Sequence, residues 1–327
     1  MFSIFSILLT ISGFVFPQNN FSEIRENAED IDGLLSLIIV QNDSIKFEQY
    51  FNGNYSDSLN NVQSVTKSVV SLLVGVALRQ KLIDSLNQPI KKFIPEANNS
   101  FSVITVENIL MMTSGIEWDE NLDFLPWIKA GDKIGYVLNK ITDNPPGKIF
   151  EYNTGATNLL TTVIQRASGK SLKKFAMENL FDQLEITEFD WPGDEMGNFN
   201  SGTGLKLSPA SLAKIAKLIL NDGSIDNKSI ADSSFIAETI SQKRFLSHKY
   251  FDLEDVGYGY LWWTTKILGY DVAIAWGYGG QFIFIIKDLN AAVITTSEWQ
   301  VNLNFARATE LAIFDLMNEI INELASN

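Results

Sequence analysis

The chain has 327 residues, of which 46% are hydrophobic, so it can bury a sizeable core and is neither disordered nor fibrous. Its 39 acidic and 25 basic side chains give a formal net charge of −14, which disfavours binding to nucleic acid or to anionic lipid. The expected partner is therefore a small molecule or a short peptide.

Cysteine is absent, and histidine occurs once, at His248. Thiol nucleophiles, disulfides and cysteine-based zinc sites are thereby excluded, and a metal site of the usual His-rich kind cannot be assembled. His248 lies in a polar stretch at 242–249, which is typical of a surface loop or a helix end rather than of a Ser-His-Asp triad. We expect no metal and no cofactor.

Residues 1–16 form an apolar run, MFSIFSILLTISGFVF, which Pro17 closes. The run has the length of a signal-peptide core and is short for a membrane span, although no basic residue precedes it and no clear cleavage site follows. We expect a signal peptide at 1–17 and export to the periplasm or the outside, with an uncleaved N-terminal anchor as the alternative. Residues 18–327 are expected to form one domain.

Strand patterns occupy both ends of this domain. A run rich in β-branched residues at 34–40, a turn at 41–44 and a second run at 45–51 predict a hairpin. Near the other end, three further strands are predicted at 259–265, 281–286 and 291–296. An amphipathic helix is predicted over 305–324.

The middle of the chain has helical periodicity instead. Helices are predicted at 69–78, 106–112, 159–167, 172–180 and 212–220. Strands from both chain ends would then form one central antiparallel sheet flanked by helices, with a helical lobe inserted at roughly 80–205. This is an α+β fold with a cleft between two lobes, where a ligand site is expected.

Three Ser-x-x-Lys tetrads occur in the chain, beginning at Ser64, Ser171 and Ser211. The second and third open amphipathic patterns, so their serines are expected to cap helices while Lys174 and Lys214 lie on polar faces.

The first tetrad precedes a stretch at 69–78 that is apolar on every side, which predicts a buried helix. Burial should lower the pKa of Lys67, and a neutral lysine three residues from Ser64 can accept the hydroxyl proton. At the helix N-terminus, backbone N–H groups would stabilise an oxyanion. The alternative is a capping serine with a lysine that reaches solvent.

Two loops contain further candidates. Tyr152 lies between a Pro-Pro-Gly turn and a helical pattern, where its hydroxyl can enter a cleft or its ring can simply pack. The segment 275–281, AWGYGGQ, has three glycines beside a strand, which indicates either close backbone approach to a substrate or a plain hairpin turn.

Taken together, these segments resemble the serine β-lactamase and penicillin-binding-protein superfamily, and more closely its branch of esterases, amidases and 6-aminohexanoate-oligomer hydrolases. The resemblance rests on SVTK at 64–67, ITVENILMMTSGIEW at 104–118, PGKIFEYNTGATNLL at 146–160, GTGLKLSPASLAKIAKLILNDG at 202–223, GYGYLWW at 257–263 and AWGYGGQFIFII at 275–286.

The resemblance implies a β-lactamase or D,D-peptidase-like fold and a set of residue roles. Ser64 would be the nucleophile, Lys67 its general base and Tyr152 the proton carrier for the leaving group. The backbone N–H groups of Ser64 and Tyr278 would form the oxyanion hole. Substrate-binding roles are expected for Thr154, Trp276 and Gly277.

Two positions depart from the pattern of true β-lactamases. Ala275 stands where those enzymes have a cation that helps bind the substrate carboxylate, and Thr154 follows Tyr152-Asn153 where Ser or Asn is usual. We therefore expect hydrolysis of an uncharged ester or amide. A D,D-peptidase or β-lactamase using the same residues, and a non-catalytic binding or sensor module that is only acylated, remain the alternatives. The sequence leaves the oligomeric state open.

Overall fold

A hairpin of β-branched residues begins the central sheet of the computed structural model, which describes residues 21–247 and 250–326. The predicted leader at 1–17 and His248 lie outside the described residues. The strands are β1 (Leu34–Gln41), β2 (Ser44–Tyr50), β3 (Asn60–Asn61), β4 (Lys206–Leu207), β5 (Ser224–Ile225), β6 (Lys228–Ser229), β7 (Arg244–Phe245), β8 (Glu254–Tyr258), β9 (Trp263–Ile267), β10 (Tyr270–Gly277), β11 (Gln281–Ile286) and β12 (Ala291–Ser297).

The helices account for most of the remaining secondary structure. They are α1 (Ser22–Glu29), α2 (Val65–Arg79), α3 (Val106–Leu110), α4 (Glu120–Ile128), α5 (Lys133–Leu138), α6 (Thr154–Ser168), α7 (Leu172–Ala176), α8 (Pro209–Leu220), α9 (Ser233–Ile240) and α10 (Leu303–Ala325). Among the described residues, no helix has the length and apolar character needed to cross a membrane.

The central sheet has eight antiparallel strands in the order β2-β1-β12-β11-β10-β9-β8-β7. The β1–β2 hairpin turns through Asn42 and Asp43, both in the left-handed region that a two-residue turn requires. β1 pairs with β12, so strands from the two ends of the chain lie side by side. The predicted α+β architecture is confirmed.

One strand prediction near the C-terminal end was wrong, and one strand was missed. The run predicted at 259–265 is split, because residues 259–262 form a turn and β9 starts only at Trp263. Leu261 has φ of 60° and donates its N–H to Leu110 O, outside the sheet. Strand β10 was missed, since its last residues belong to the glycine motif, for which a turn and a close backbone approach were both left open.

Two helix predictions were too long at their C-terminal ends. α3 ends at Leu110, and Met112, with φ of 55°, lies in the left-handed region that terminates a helix. α7 ends at Ala176, after which one π-helical turn covers Met177–Phe181. Both ends depend on a local backbone change that apolar spacing does not encode.

Helices cover both faces of the sheet. α2 and α8 pack against one face, and α10 packs against the other through Phe314, whose ring contacts Trp276, Phe282 and Phe284. Residues 65–77 of α2 are all buried, as the apolar pattern predicted. The chain leaves the sheet after β2 and returns at β7, so α2 to α9 lie between the two sets of strands. The start of α2 therefore lies between the central sheet and the helical segment.

Candidate active site

Ser64 is the N-cap residue of α2, and the residues before it lie against the end of β10. Its hydroxyl makes no capping hydrogen bond to the helix, so the capping interpretation does not account for it. The residue is half-buried, and Gln63 before it is held at φ of 48°. The N-terminus of α2 points its backbone N–H groups and the positive end of its dipole at this position. Negative charge that develops next to Ser64 would be stabilised there.

Lys67 lies one turn into α2 and is 1% exposed. Its Nζ is 2.9 Å from Ser64 Oγ and donates to the carbonyl oxygen of Gly202 at 2.7 Å. Burial lowers the pKa of Lys67 to about 8, while the negative charge of Glu120 opposes this decrease. When Lys67 is neutral, one of its N–H groups can stay hydrogen-bonded to the Gly202 carbonyl oxygen while the nitrogen lone pair accepts the proton of Ser64. The alternative in which this lysine reaches solvent is wrong.

Tyr152 lies in the connection that leads into α6, where Asn153 caps the helix by accepting from Ala156 N–H at 2.7 Å. The Tyr152 hydroxyl lies close enough to Ser64 for the serine to lower its pKa, and the Tyr152 ring centroid lies 4.9 Å from Lys67 Nζ. Burial, and after it the charge of Glu120, raises the pKa of Tyr152. The hydroxyl therefore keeps its proton at neutral pH and is suited to donate it.

Glu120 is a residue of this site that sequence reasoning missed. Its carboxylate accepts from Thr154 Oγ1 at 2.5 Å and from the Trp118 indole at 2.6 Å. Thr154 is fully buried, and its hydroxyl points to Glu120. These contacts explain Thr154 as a support for the loop that carries Tyr152, and its expected role in substrate binding stays a prediction. An acidic residue at a helix start was visible in the sequence but is common enough to carry no signal.

The end of β10 approaches the segment that precedes the nucleophile. A Cβ on Gly277 would overlap the carbonyl oxygen of Val62, so only glycine allows this approach. In the described pairing, β9 covers β10 only as far as Ile274. The edge of residues 275–277 on that side thus has no strand partner, beside Ser64, and could pair with the backbone of a substrate.

Ala275 and Trp276 lie on opposite faces of β10, because side chains alternate along a strand. Ala275 is fully buried. The ring of Trp276 packs against Phe314 of α10 and is half-buried. Packing accounts for this ring, and a role for Trp276 in substrate binding stays a prediction.

The turn at 278–280 connects β10 to β11. Gly279 and Gly280 have φ of 83° and 98°, and the Tyr278 hydroxyl donates to Val301 O at 2.9 Å. Glu310 of α10, 7% exposed, accepts from Gly279 N–H at 2.8 Å. Sequence reasoning placed Tyr278 here through the motif but gave no signal for Glu310.

The two other Ser-x-x-Lys tetrads lie elsewhere. Ser171 caps α7 by accepting from Lys174 N–H at 3.3 Å, as predicted. The cap assignment of Ser211 was wrong, because Ser208 is the N-cap of α8 and accepts from Ser211 N–H. Lys214 donates to Glu185 O on the surface. Neither tetrad has a buried lysine.

Acidic side chains surround the loop before Tyr152. Burial first, and then the charges of Asp143, Asp119 and Glu117, raise the pKa of Glu151 to about 7. The potential beside this loop is therefore negative. Within 21–247 and 250–326, no group of three or more acidic or histidine side chains is arranged to hold a metal ion.

The model of the Beta-lactamase family matches residues 24–317 of the chain. A search of curated proteins gives no match. Among solved structures, a Bacillus anthracis protein assigned as a 6-aminohexanoate-dimer hydrolase is 21% identical with a TM-score of 0.77, over 93% of this chain and 84% of that one.

Two further structures have the same fold. A D-stereospecific amidohydrolase from a Streptomyces species is 15% identical with a TM-score of 0.70, over 89% of this chain and 98% of that one. A family VIII carboxylesterase is 17% identical with a TM-score of 0.68, over 90% and 97%.

Proposed function

The chain belongs to the Beta-lactamase family, and we propose that it is a serine hydrolase that cleaves an ester or an amide through an acyl-enzyme on Ser64. The observation that carries the proposal is the pair of half-buried Ser64 and buried Lys67, with 2.9 Å between Oγ and Nζ and the pKa of the lysine lowered to about 8. A hydroxyl at a helix N-terminus, next to a lysine that can be neutral, has what a nucleophile needs.

The first half of the reaction forms the acyl-enzyme. Neutral Lys67 accepts the proton of Ser64 while Oγ attacks the carbonyl carbon of the substrate. The negative charge moves to the carbonyl oxygen, which accepts from the N–H groups of Ser64 and Tyr278. As the tetrahedral intermediate collapses, the carbonyl re-forms and the bond to the leaving group breaks. Tyr152 gives its proton to the leaving group and regains one from Lys67.

The second half hydrolyses the ester on Ser64. A water molecule loses a proton to Lys67, directly or through Tyr152, and attacks the acyl carbon. The second tetrahedral intermediate collapses, Ser64 Oγ leaves and takes back a proton, and the carboxylic acid is released. No group outside the chain other than substrate and water enters this balance.

The charges near the cleft favour uncharged substrates. Ala275 supplies no cation at the end of β10, and loss of a charge-assisted hydrogen bond to a carboxylate costs roughly 1.5 to 3 kcal/mol. The negative side chains beside Glu151 further disfavour an anionic acyl group, although salt screens this effect. Short neutral acyl esters and amides are therefore the proposed substrate class. This class is consistent with two proteins of the same fold, a D-stereospecific amidohydrolase and a family VIII carboxylesterase.

The test is a substrate panel with purified wild type and Ser64→Ala. We expect short-chain p-nitrophenyl esters to give a higher kcat/KM than a chromogenic cephalosporin or a D-Ala-D-Ala peptide, and Ser64→Ala to abolish turnover. Ser171→Ala is the matched control and should keep full activity. A cephalosporin hydrolysed faster than the best ester would replace this proposal by a β-lactamase.

A fluorophosphonate probe distinguishes a hydrolase from the remaining alternative, a binding module that is acylated without turnover. We expect one label per chain, on Ser64 by peptide mapping, together with steady turnover of esters. Stoichiometric labelling without product release would indicate an acylatable binding module, and a label on Ser171 or Ser211 would refute the nucleophile.

A further inference from the structure

The 278–280 turn is held from below by one buried carboxylate. Glu310 lies on α10, and its Oε1 accepts from Gly279 N–H at 2.8 Å. The Trp276 indole and the Gly280 N–H also lie near enough to this carboxylate to lower its pKa. One side chain of another element thus binds the turn directly after Tyr278.

A carboxylate in this position is unusual enough to need an explanation. Burying a charge is unfavourable unless hydrogen bonds compensate for lost hydration. Glu310 is 7% exposed, and burial raises its pKa, against the opposing effects of the Gly279 N–H, the Trp276 indole and the charge of Arg307. Its neighbours on α10, Ile313 and Met317, are apolar and buried. An apolar residue would pack there without this cost, so the carboxylate has a use in orienting the turn.

The turn needs such a support, because its conformation is demanding. Gly279 and Gly280 both have positive φ, and glycine loses more conformational freedom on ordering than any other residue. Other contacts hold the Tyr278 hydroxyl, which donates to Val301 O at 2.9 Å, and the Gly280 carbonyl oxygen, to which Thr295 and Ser297 donate at 2.8 and 3.2 Å. The N–H side is fixed by Glu310.

We propose that Glu310 is a positioning residue that fixes the 278–280 turn so that the Tyr278 N–H points at the substrate carbonyl oxygen beside Ser64. This inference rests on the proposed function, since it concerns the oxyanion hole of the same site. Glu310 touches neither the substrate nor the reacting atoms. It acts by accepting the N–H of Gly279, the residue directly after Tyr278, which leaves the Tyr278 N–H to face the cleft.

The test compares Glu310→Gln and Glu310→Asp with wild type. Glutamine keeps one acceptor oxygen but turns an amide donor towards the N–H groups, and aspartate is one methylene too short. We expect kcat for a p-nitrophenyl ester to fall about 10- to 100-fold, less than the hundred- to thousandfold loss for a removed oxyanion donor. KM should stay within about twofold, because the support matters most when charge develops on the oxygen.

Phenylboronic acid gives a readout that general loosening would not move selectively. It forms a tetrahedral adduct with a nucleophilic serine, so its inhibition constant should rise by the same factor as kcat falls. Glu319→Gln, an exposed residue of the same helix, is the matched control and should change neither value. A Glu310→Gln enzyme with wild-type kcat, or one whose boronate affinity is unchanged while kcat falls, would overturn the proposal.

A measurement on the wild-type protein keeps the inference testable without activity. Hydrogen exchange should show slow exchange of the Gly279 and Gly280 amides compared with Gly53, which lies in an exposed turn. Glu310→Gln should accelerate exchange at these two amides and leave β11 protected. Unaltered exchange in the variant would overturn the positioning role. If instead the wild type hydrolyses no substrate and takes no label, the proposed function fails, while the exchange data still decide the role of Glu310.

Discussion

The pH dependence of acylation tests whether Lys67 is the general base. Its pKa of about 8 means that about 1% of the lysine is neutral at pH 6 and about 90% at pH 9. If the neutral form accepts the proton of Ser64, kcat/KM for an ester should rise about 90-fold over this interval and then level off. A lysine with its ordinary pKa of 10.5 would instead give a rise that continues beyond pH 10.

The assay follows p-nitrophenyl butyrate between pH 6 and 10, with the spontaneous hydrolysis rate subtracted at each pH. Lys67→Arg should be nearly inactive throughout, because arginine stays protonated. Glu120→Gln should move the midpoint to lower pH, since the charge of Glu120 raises the pKa of Lys67. Glu117→Gln, an exposed carboxylate nearby, is the matched control and should leave the midpoint in place. A flat profile between pH 6 and 9 would refute Lys67 as base.

The same pKa shift predicts a change in stability. The folded-state pKa of Lys67 lies below its unfolded value, so between pH 8 and 10.5 the unfolded chain binds more protons than the folded one. The free energy of unfolding should therefore rise with pH through this window, by about 3 kcal/mol. Lys67→Met lacks this contribution, and the difference between the two proteins in urea unfolding at pH 8 and 10.5 measures it. Parallel curves for wild type and variant would contradict burial of the lysine in a form that loses its proton.

The remaining predictions concern four positions. Gly277→Ala should lower both Tm and kcat, because a Cβ there overlaps the backbone before the nucleophile, and an unchanged kcat would contradict the close approach of β10. Tyr152→Phe should slow hydrolysis of an anilide by about 10²- to 10⁴-fold. Hydrolysis of a p-nitrophenyl ester should slow much less, because nitrophenolate leaves without a proton. Equal losses of rate for the two substrates would argue against Tyr152 as a proton carrier. Glu151→Gln should gain stability over wild type as the pH rises from 4.5 to 7, because the raised pKa makes ionisation of Glu151 destabilising, and thermal unfolding at the two pH values checks this. Ala275→Lys should narrow the kcat/KM gap between the best ester and a cephalosporin by about 10- to 100-fold, and a gap that stays the same would show that specificity does not depend on this cation.

The sequence alone determined the features that depend on local period and spacing. The β1–β2 hairpin follows from two β-branched runs around a short turn, and α2 follows from an uninterrupted apolar stretch. Ser64 and Lys67 are three positions apart, a spacing that brings side chains together on one face of a helix. Burial of that helix, and with it the lowered pKa of Lys67, was therefore predictable before the fold was known.

Only the tertiary structure decided which distant groups complete the site. Gly202 O meets Lys67 across 135 positions of the chain, Glu120 meets Thr154 across 34, and Glu310 meets Gly279 across 31. In the sequence, Glu310 is one more acidic residue in an amphipathic helix, and no periodicity distinguishes a carboxylate that faces a turn from one that faces water. Which face of β10 carries Trp276 depends on strand register and helix packing. These contacts exist only after α10 and the helical segment have packed on the sheet, because long-range packing, rather than local preference, fixes where each side chain points.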